Sequence, residues 1–114
     1  MSITDTDSFP GRRVLITGGA KRLGRETALA LGGFGVRLAI HYNTSRAPAE
    51  ALCKELRASG ATAFPIQADL SVAASAEALF DESWDRLEGM DSLVNSASIF
   101  PSGRLADMEL HHLH

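Results

Sequence analysis

The sequence predicts an α/β fold of three layers, in which helices cover both faces of a parallel β-sheet. Short apolar runs of strand length alternate along the chain with longer amphipathic stretches of helical period, in the order β-α-β-α-β-α-β. Crossovers of this kind are right-handed and place successive strands parallel in one sheet. The length of 114 residues agrees with this arrangement, because it accommodates a single domain of about four strand–helix units at roughly 30 residues each.

Four apolar runs are predicted to form the strands. The first covers Arg13–Thr17 and ends in two glycines, and the others cover 36–42, 62–68 and 91–95. Pro65 in the third run lacks an amide donor, which suits a strand at the edge of the sheet. Leu93 and Val94 make the fourth run apolar, so an uncovered fourth strand would leave an edge prone to pairing with another chain.

Three stretches of helical period lie between the strands, at 23–34, 48–59 and 71–87. Gly35, Gly60 and Gly89 follow them and are typical of helix ends. Ser71 is the candidate N-cap of the third helix. The periodicity predicts that the core-facing side chains are Leu23, Thr27, Ala30, Leu31, Phe34, Ala51, Leu52, Leu56, Ala76, Leu79, Phe80, Trp84 and Leu87.

Composition excludes several classes of protein. The net charge of −3 argues against a uniformly basic nucleic-acid binder. No apolar run approaches the ~20 residues that cross a bilayer, and the acidic, polar first ten residues are unlike a signal sequence. The single cysteine, Cys53, cannot form an internal disulfide and is expected to be a buried structural thiol. These features predict a cytoplasmic protein without a membrane or nucleic-acid partner.

The chain shows no interdomain linker, so we expect a flexible N-terminal lead-in over residues 1–11 and one domain over residues 12–114. No metal site is expected. His111, His112 and His114 are expected to point in different directions, and no carboxylate or thiolate cluster accompanies them in the sequence.

The turn after the first strand has the composition of a phosphate site. Gly18 lets backbone amides approach a pyrophosphate, Gly24 allows close packing of the helix, and the helix N-terminus attracts negative charge. Lys21, Arg22 and Arg25 crowd this N-terminus, where the helix dipole disfavours cations. A bound polyphosphate would explain that choice, and a solvated basic turn is the alternative.

The end of the second strand distinguishes two dinucleotides. Proteins that prefer NAD usually carry an acidic residue there for the ribose 2′-hydroxyl, whereas no acidic residue occurs between Glu26 and Glu50. The segment instead offers hydroxyls, an amide and a guanidinium that suit a 2′-phosphate. NADP(H) is therefore favoured over NAD(H), with a plain polar loop as the alternative. The residues concerned are His41, Tyr42, Asn43, Thr44, Ser45 and Arg46.

These residues resemble the N-terminal half of the short-chain dehydrogenase/reductase family, which has a Rossmann-like fold. Three motifs in family order span roughly residues 12–105. Arg22 replaces the usual middle glycine of the turn, a feature similar to the pteridine reductase branch. The motifs are T-G-x-x-x-R-x-G at 17–24, Asp69-Leu70 after the third strand, and Asn95-Ser96-Ala97-Ser98 after the fourth; His41-Tyr42 and Phe100 add to the pteridine likeness.

The resemblance implies a role for each matching position. It implies that the pyrophosphate lies against Gly18, Arg22, Leu23 and Gly24, and the 2′-phosphate against Lys21, Arg22, Tyr42, Asn43, Thr44 and Ser45. It implies that Asp69 accepts from the adenine amino group while Leu70 packs on the ring. It also implies that Asn95 ties the fourth strand into the sheet, that Ala97 and Ser98 contact the nicotinamide ribose and diphosphate, and that Phe100 either stacks on a pterin or is a plain apolar loop residue.

The same resemblance implies an NADP(H)-dependent reductase of a carbonyl or a pterin-like C=N bond, whose full-length form is a homo-oligomer. Hydride transfer in the family needs a Tyr-x-x-x-Lys pair. The only tyrosine here is Tyr42, which is followed four places later by Arg46, so no catalytic residue is expected within this chain. The sequence is therefore interpreted as a cofactor-binding half truncated after the fourth strand. The alternatives are a non-catalytic dinucleotide-binding or partner-binding module, and an inactive truncated product.

Overall fold

The computed structural model describes residues 11–20 and 22–96, and it confirms the predicted α/β class. Its elements are β1 (Arg13–Thr17), α1 (Arg22–Gly32), β2 (Arg37–Tyr42), α2 (Arg46–Ala58), β3 (Ala63–Gln67), α3 (Ala73–Leu87) and β4 (Ser92–Asn95). The four strands form one parallel sheet in the order β3-β2-β1-β4. Pro65 accordingly lies in an edge strand of the described sheet, as its missing amide predicted.

The direction in which successive strands are added to the sheet reverses between β1 and β4. The chain moves from β1 outward to β2 and β3, then returns through α3 to pair β4 with the other side of β1. Thr17 at the end of β1 is level with Asn95 at the end of β4, and Tyr42 at the end of β2 is level with Gln67 in β3. The carboxyl ends of all four strands therefore lie along one edge, where α/β sheets bind ligands.

Residues along β1 and β2 alternate between the two faces of the sheet, and each face has its own core. One face packs on α1 and α2, and the other packs on α3. The first core is built mainly from Val14, Ile16, Ala28, Leu38, Ile40, Leu52, Cys53 and Leu56. The second is built mainly from Leu15, Ala39, Ile66, Ala76, Leu79, Phe80 and Leu87. Cys53 is buried and free, as predicted.

Parts of the predicted helix faces are wrong. Leu23 is 73% exposed, because the buried positions of α1 are Gly24 and Ala28, and Phe34, which follows the end of α1 at Gly32, is 43% exposed. Gly24 and Ala28 are small, so a search for large apolar side chains places the face one residue too early. Ala51 is exposed in α2 for a similar reason. The buried row of that helix is Ala49, Leu52, Cys53 and Leu56.

Ser71 is not the N-cap of α3. The cap position belongs to Val72, which makes no side-chain capping bond. Ser71 turns back instead, because its N–H and its hydroxyl both donate to Oδ1 of Asp69, at 3.0 Å and 2.6 Å. The side chain predicted to cap a helix therefore orders the loop after β3.

An arginine clamp joins β1 to the start of β4 at the amino end of the sheet. The Arg13 guanidinium donates from Nε and from its second terminal nitrogen to the two carboxylate oxygens of Asp91, each at 3.1 Å. The Arg13 backbone N–H also donates to Asp91 at 2.8 Å. Gly89 has a φ of +118°, and a Cβ there would lie 2.5 Å from the guanidinium. The glycine that ends α3 thus also leaves room for the clamp.

Candidate functional site

The turn from β1 into α1 is built so closely that two of its positions exclude a side chain. A Cβ on Gly24 would overlap the Gly18 carbonyl oxygen and lie 2.7 Å from the Cα of Gly19. A Cβ on Gly19 would lie 2.9 Å from a methyl group of Ile40. Gly18 itself has a φ of +66°, in the left-handed region that glycine tolerates. The first turn of α1 consequently rests directly on the glycine backbone.

This packing directs the N-terminus of α1 at the carboxyl edge of β1. The first amides of a helix have no partners within the helix and carry the positive end of its dipole. The first turn of α1 contains no acidic residue, and Arg22 at its start is exposed. Backbone donors and the positive end of the helix dipole therefore lie at the carboxyl end of β1, and this arrangement suits an anion.

The structure separates the cations that the sequence groups together. Arg25 donates to the Glu55 carboxylate at 2.8 Å, so an ion pair between α1 and α2 accounts for its charge. Arg22 makes no such contact within the described residues. Lys21 lies outside them. Of the two arginines at this turn, Arg22 is therefore the one whose charge is not paired by another described residue.

His41 requires a correction. Its side chain is only 3% exposed. Nδ1 accepts a hydrogen bond from the Gly18 N–H at 2.9 Å, and Nε2 lies 2.9 Å from the Ala68 carbonyl oxygen. Burial lowers the pKa of the imidazole, which favours its neutral form. Both ring nitrogens are therefore engaged within the protein, where the ring holds the glycine turn in place. A buried ring of this kind does not contact a 2′-phosphate directly.

The segment that follows β2 presents polar groups at the same edge. Asn43 and Thr44 are exposed, and Tyr42 and Ser45 are half-buried. Ser45 occupies the N-cap position of α2, yet its hydroxyl makes no capping bond. The first turn of α2 has no acidic residue either. A second helix N-terminus and the hydroxyl-bearing residues Tyr42, Thr44 and Ser45 therefore lie together at this edge.

The loop after β3 holds a carboxylate in a fixed orientation. Oδ1 of Asp69 accepts both bonds from Ser71, and these bonds lower the pKa of the carboxyl. The Asp69 N–H donates to Ser75 Oγ at 3.0 Å, which secures the backbone of the loop. Oδ2 accepts no hydrogen bond from the described residues, so an ionised acceptor remains at the edge of the site. An adenine amino group is a suitable donor to it.

Leu70 also requires a correction. It is 3% exposed and belongs to the core between the sheet and α3. A side chain buried in this way packs on protein, so the predicted contact with an adenine ring is not supported. The physical reason is the short loop between β3 and α3, which places Asp69 at the surface and Leu70 inside.

The ends of β1 and β4 are joined by side chains as well as by the sheet. The Thr17 hydroxyl donates to Oδ1 of Asn95 at 2.8 Å, and the Ser96 N–H donates to the Thr17 carbonyl oxygen at 3.1 Å. Asn95 therefore fastens β4 to β1 at the reversal point of the sheet. Thr17 takes part in this contact and Gly19 in the packing of the turn, although the sequence pattern did not predict either as a site residue. Ala97, Ser98 and Phe100 lie outside the described residues.

Two kinds of site find no support in the part of the chain that the structure describes. No three histidine, cysteine, aspartate or glutamate side chains there form a group that could hold a metal ion. None of the described helices has the length and apolar character needed to cross a bilayer. The three histidines near the C-terminus lie beyond residue 96.

A parallel sheet with a glycine turn at its reversal point defines a Rossmann-like α/β domain. The chain belongs to the short chain dehydrogenase family, whose model matches residues 12–113. It is 34% identical over 98 residues to the 3-oxoacyl-[acyl-carrier-protein] reductase FabG of Staphylococcus aureus, covering 86% of this chain and 40% of the relative. It is 30% identical to versicolorin reductase stcU of Emericella nidulans, covering 95% of this chain and 41% of the relative. The chain thus spans about two fifths of these relatives.

Two solved structures are similar to this fold. A dehydrogenase from Burkholderia cenocepacia with bound NADP has a TM-score of 0.73 and 43% identity, covering 76% of this chain and 34% of that one. FolM alternative dihydrofolate reductase 1 from Brucella canis, complexed with NADP, has a TM-score of 0.70 and 38% identity, covering 76% of this chain and 35% of that one. Both similarities confirm the Rossmann-like fold and the family.

Proposed function

We propose that this chain forms the NADP(H)-binding part of an oxidoreductase that reduces a carbonyl or a pterin-like C=N bond. The observation that carries the proposal is the end of β2. It has exposed polar groups and the uncapped N-terminus of α2, and no carboxylate between Glu26 and Glu50 that would repel a 2′-phosphate. The NADP found in the Burkholderia and Brucella relatives supports the same choice.

Each part of the dinucleotide has a matching feature. The glycine turn and the start of α1 suit the diphosphate, because a Cβ at Gly24 would fill the space that the turn needs. Arg22, Thr44 and Ser45 suit the 2′-phosphate, because guanidinium and hydroxyl groups donate to its oxygens. Lys21, Tyr42 and Asn43 are proposed beside them. Asp69 offers Oδ2 to the adenine amino group.

The nicotinamide, when bound, supplies or accepts a hydride. The residues of this chain bind and orient the cofactor, and none of them is proposed as the proton donor. The only tyrosine, Tyr42, lies in β2, where it is level with Gln67 of β3. We place the proton-transferring residues of the reaction outside these 114 residues.

The two proposed substrate classes follow from the relatives. The Staphylococcus protein is named as a reductase of 3-oxoacyl groups, which are carbonyl compounds, and the Brucella protein as a dihydrofolate reductase. We propose that Ala97 and Ser98 contact the nicotinamide end of the cofactor and that Phe100 contacts the substrate. Turnover of simple ketones and of dihydropterins by the active enzyme distinguishes the classes, and reduction of ketones alone would remove the pterin alternative.

Calorimetric titration with NADPH and NADH tests the cofactor preference. We expect NADPH to bind roughly 10- to 100-fold more tightly, which corresponds to charge-assisted hydrogen bonds worth about 1.5–3 kcal/mol. Arg22→Ala should remove most of this preference. Arg25→Ala is the matched control, because it removes the same charge from the same helix but from an ion pair with Glu55. Equal affinity for the two nucleotides would contradict the proposal.

A further inference from the structure

We propose that His41 is a positioning residue that links two segments of the nucleotide site. These are the turn between β1 and α1, called the diphosphate turn, and the loop between β3 and α3, called the adenine loop. The link holds the two halves of the site at a fixed separation. The inference rests on the proposed NADP(H) site and deepens it. The supporting observation is that the buried imidazole ring of His41 makes one hydrogen bond to each of the two segments.

Position in the sheet explains why this residue can reach both segments. β2 lies between β1 and β3, and His41 is the next-to-last residue of β2. The turn after β1 and the loop after β3 therefore flank it on opposite sides. Backbone bonds join the same segments to the end of β2, since the Gly19 N–H donates to the His41 carbonyl oxygen at 3.1 Å and the Ala68 N–H donates to that of Tyr42 at 3.0 Å.

The partners of the ring dictate its tautomer. The Gly18 N–H can only donate, so Nδ1 must carry a lone pair. The Ala68 carbonyl can only accept, so Nε2 must carry the proton. The neutral tautomer with its proton on Nε2 satisfies both contacts, whereas the imidazolium loses the bond to Gly18. The ring therefore makes both hydrogen bonds at the same time, and only in one orientation of the imidazole.

Both contacts lie directly beside groups that face the nucleotide. Gly18 has a positive φ, and the start of α1 at Gly24 packs directly against its carbonyl oxygen, so the position of Gly18 sets the position of the helix N-terminus. Ala68 immediately precedes Asp69, whose carboxylate offers the acceptor for adenine. Because the ring is 3% exposed, water cannot readily replace either bond when one is lost. A shift of either segment would consequently alter the distance between the diphosphate and adenine contacts.

Two variants separate the two bonds. In His41→Asn the amide oxygen takes the place of Nδ1 and can accept from Gly18, but the side chain is too short to reach Ala68. In His41→Gln the amide nitrogen takes the place of Nε2 and can donate to Ala68, but no acceptor remains for Gly18. The matched ligands are NADPH, which has a diphosphate, and adenosine 2′-monophosphate, which has only the adenine and 2′-phosphate parts.

Calorimetry with both ligands provides the test. We expect His41→Gln to weaken NADPH about fivefold to tenfold and to leave adenosine 2′-monophosphate within about twofold, because only the diphosphate turn is released. We expect His41→Asn to weaken both ligands by similar factors, because the adenine loop is released. If each variant weakens both ligands equally, or neither changes binding, the inference is overturned.

A measurement on the unsubstituted protein guards against variants that fail to fold. In ¹⁵N-labelled protein, the bond between Gly18 and His41 should give a scalar coupling across the hydrogen bond between the Gly18 amide nitrogen and Nδ1. This coupling should disappear when the ring is protonated. Its absence at neutral pH would overturn the inference without touching the proposed function. A protein that shows the coupling but binds neither NADPH nor adenosine 2′-monophosphate would overturn the proposed function, and the inference with it.

Discussion

At the scale of single residues, small side chains determine the candidate site more than charged ones do. Gly24 leaves space that the backbone of Gly18 and Gly19 occupies, Gly19 leaves space for the Ile40 side chain, and Gly18 supplies a positive φ. The sequence indicated the glycine turn correctly, since glycines between a strand and a helix have few other uses. It could not indicate the role of His41, because a histidine at a strand end has the same appearance whether its ring faces solvent or the core.

Gly24→Ala tests the close packing of the turn. The added methyl group would overlap the backbone of Gly18 and Gly19, so α1 would have to move away from the turn. We expect a loss of about 1–3 kcal/mol in the free energy of unfolding, measured by urea denaturation, together with loss of nucleotide binding. Gly33→Ala is the control, because a Cβ there meets nothing nearer than 3.4 Å. Normal nucleotide affinity in Gly24→Ala would contradict the account of the turn.

His41 should also affect the dependence of stability on pH. Burial lowers its pKa from the ordinary value of 6.5, opposed only by the Ala68 carbonyl, and no charged neighbour contributes. Below pH 6.5 the unfolded state therefore binds a proton that the folded state resists. We expect the free energy of unfolding to fall as pH decreases from 6.5 toward the folded pKa, and to fall less in His41→Gln. Identical pH profiles for both proteins would show that the ring titrates freely in the folded state.

At the scale of elements, the strands could be predicted almost to the residue and the helices less well. β1 coincides with its predicted range, and the other strands differ by one residue at either or both ends. Apolar runs between glycines are distinctive because both faces of this sheet are covered. The faces of α1 and α2 were harder to predict, since their buried rows contain Gly24, Ala28 and Ala49, and small residues contribute little to a hydrophobic pattern.

The clamp between Arg13 and Asp91 gives a prediction about how β4 is held. The guanidinium lowers the pKa of the Asp91 carboxyl, so its contribution to stability is present above pH 3.8 and is lost as pH falls through the lower folded value. Asp91→Ala should reduce the free energy of unfolding at neutral pH by about 1–2 kcal/mol, since both partners are partly exposed. Glu82→Ala removes an exposed ion pair within α3 and should cost less than about 0.5 kcal/mol. Equal losses in the two variants would contradict the clamp.

At the scale of the whole molecule, the described chain forms two cores around one sheet, and the candidate site lies at a single edge of that sheet. The fold could be predicted from the alternation of strands and helices. The reversal between β1 and β4 could not be read from periodicity alone, because it depends on where the crossover through α3 returns. The observed strand order, β3-β2-β1-β4, shows that this crossover returns to the free side of β1.

Cys53 reports on the integrity of one core. It lies fully buried on the face of α2 that packs against the sheet, and burial raises the pKa of its thiol to about 11. We expect a thiol-specific reagent at pH 8 to label the folded protein at least about 100-fold more slowly than the urea-unfolded protein, because both access and thiolate formation are suppressed. Rapid labelling of the folded protein would show that the packing between α2 and the sheet opens readily.

We propose that NADPH binds along the carboxyl edge of the sheet, across the reversal between β1 and β4. Amide chemical-shift mapping during titration with NADPH measures this most directly. We predict that the largest changes occur at Gly18, Gly19, Ser45, Asp69 and Asn95, and that titration with NADH changes Ser45 much less. Changes centred on Arg13 and Asp91 at the opposite edge, or no changes at saturating NADPH, would contradict the account.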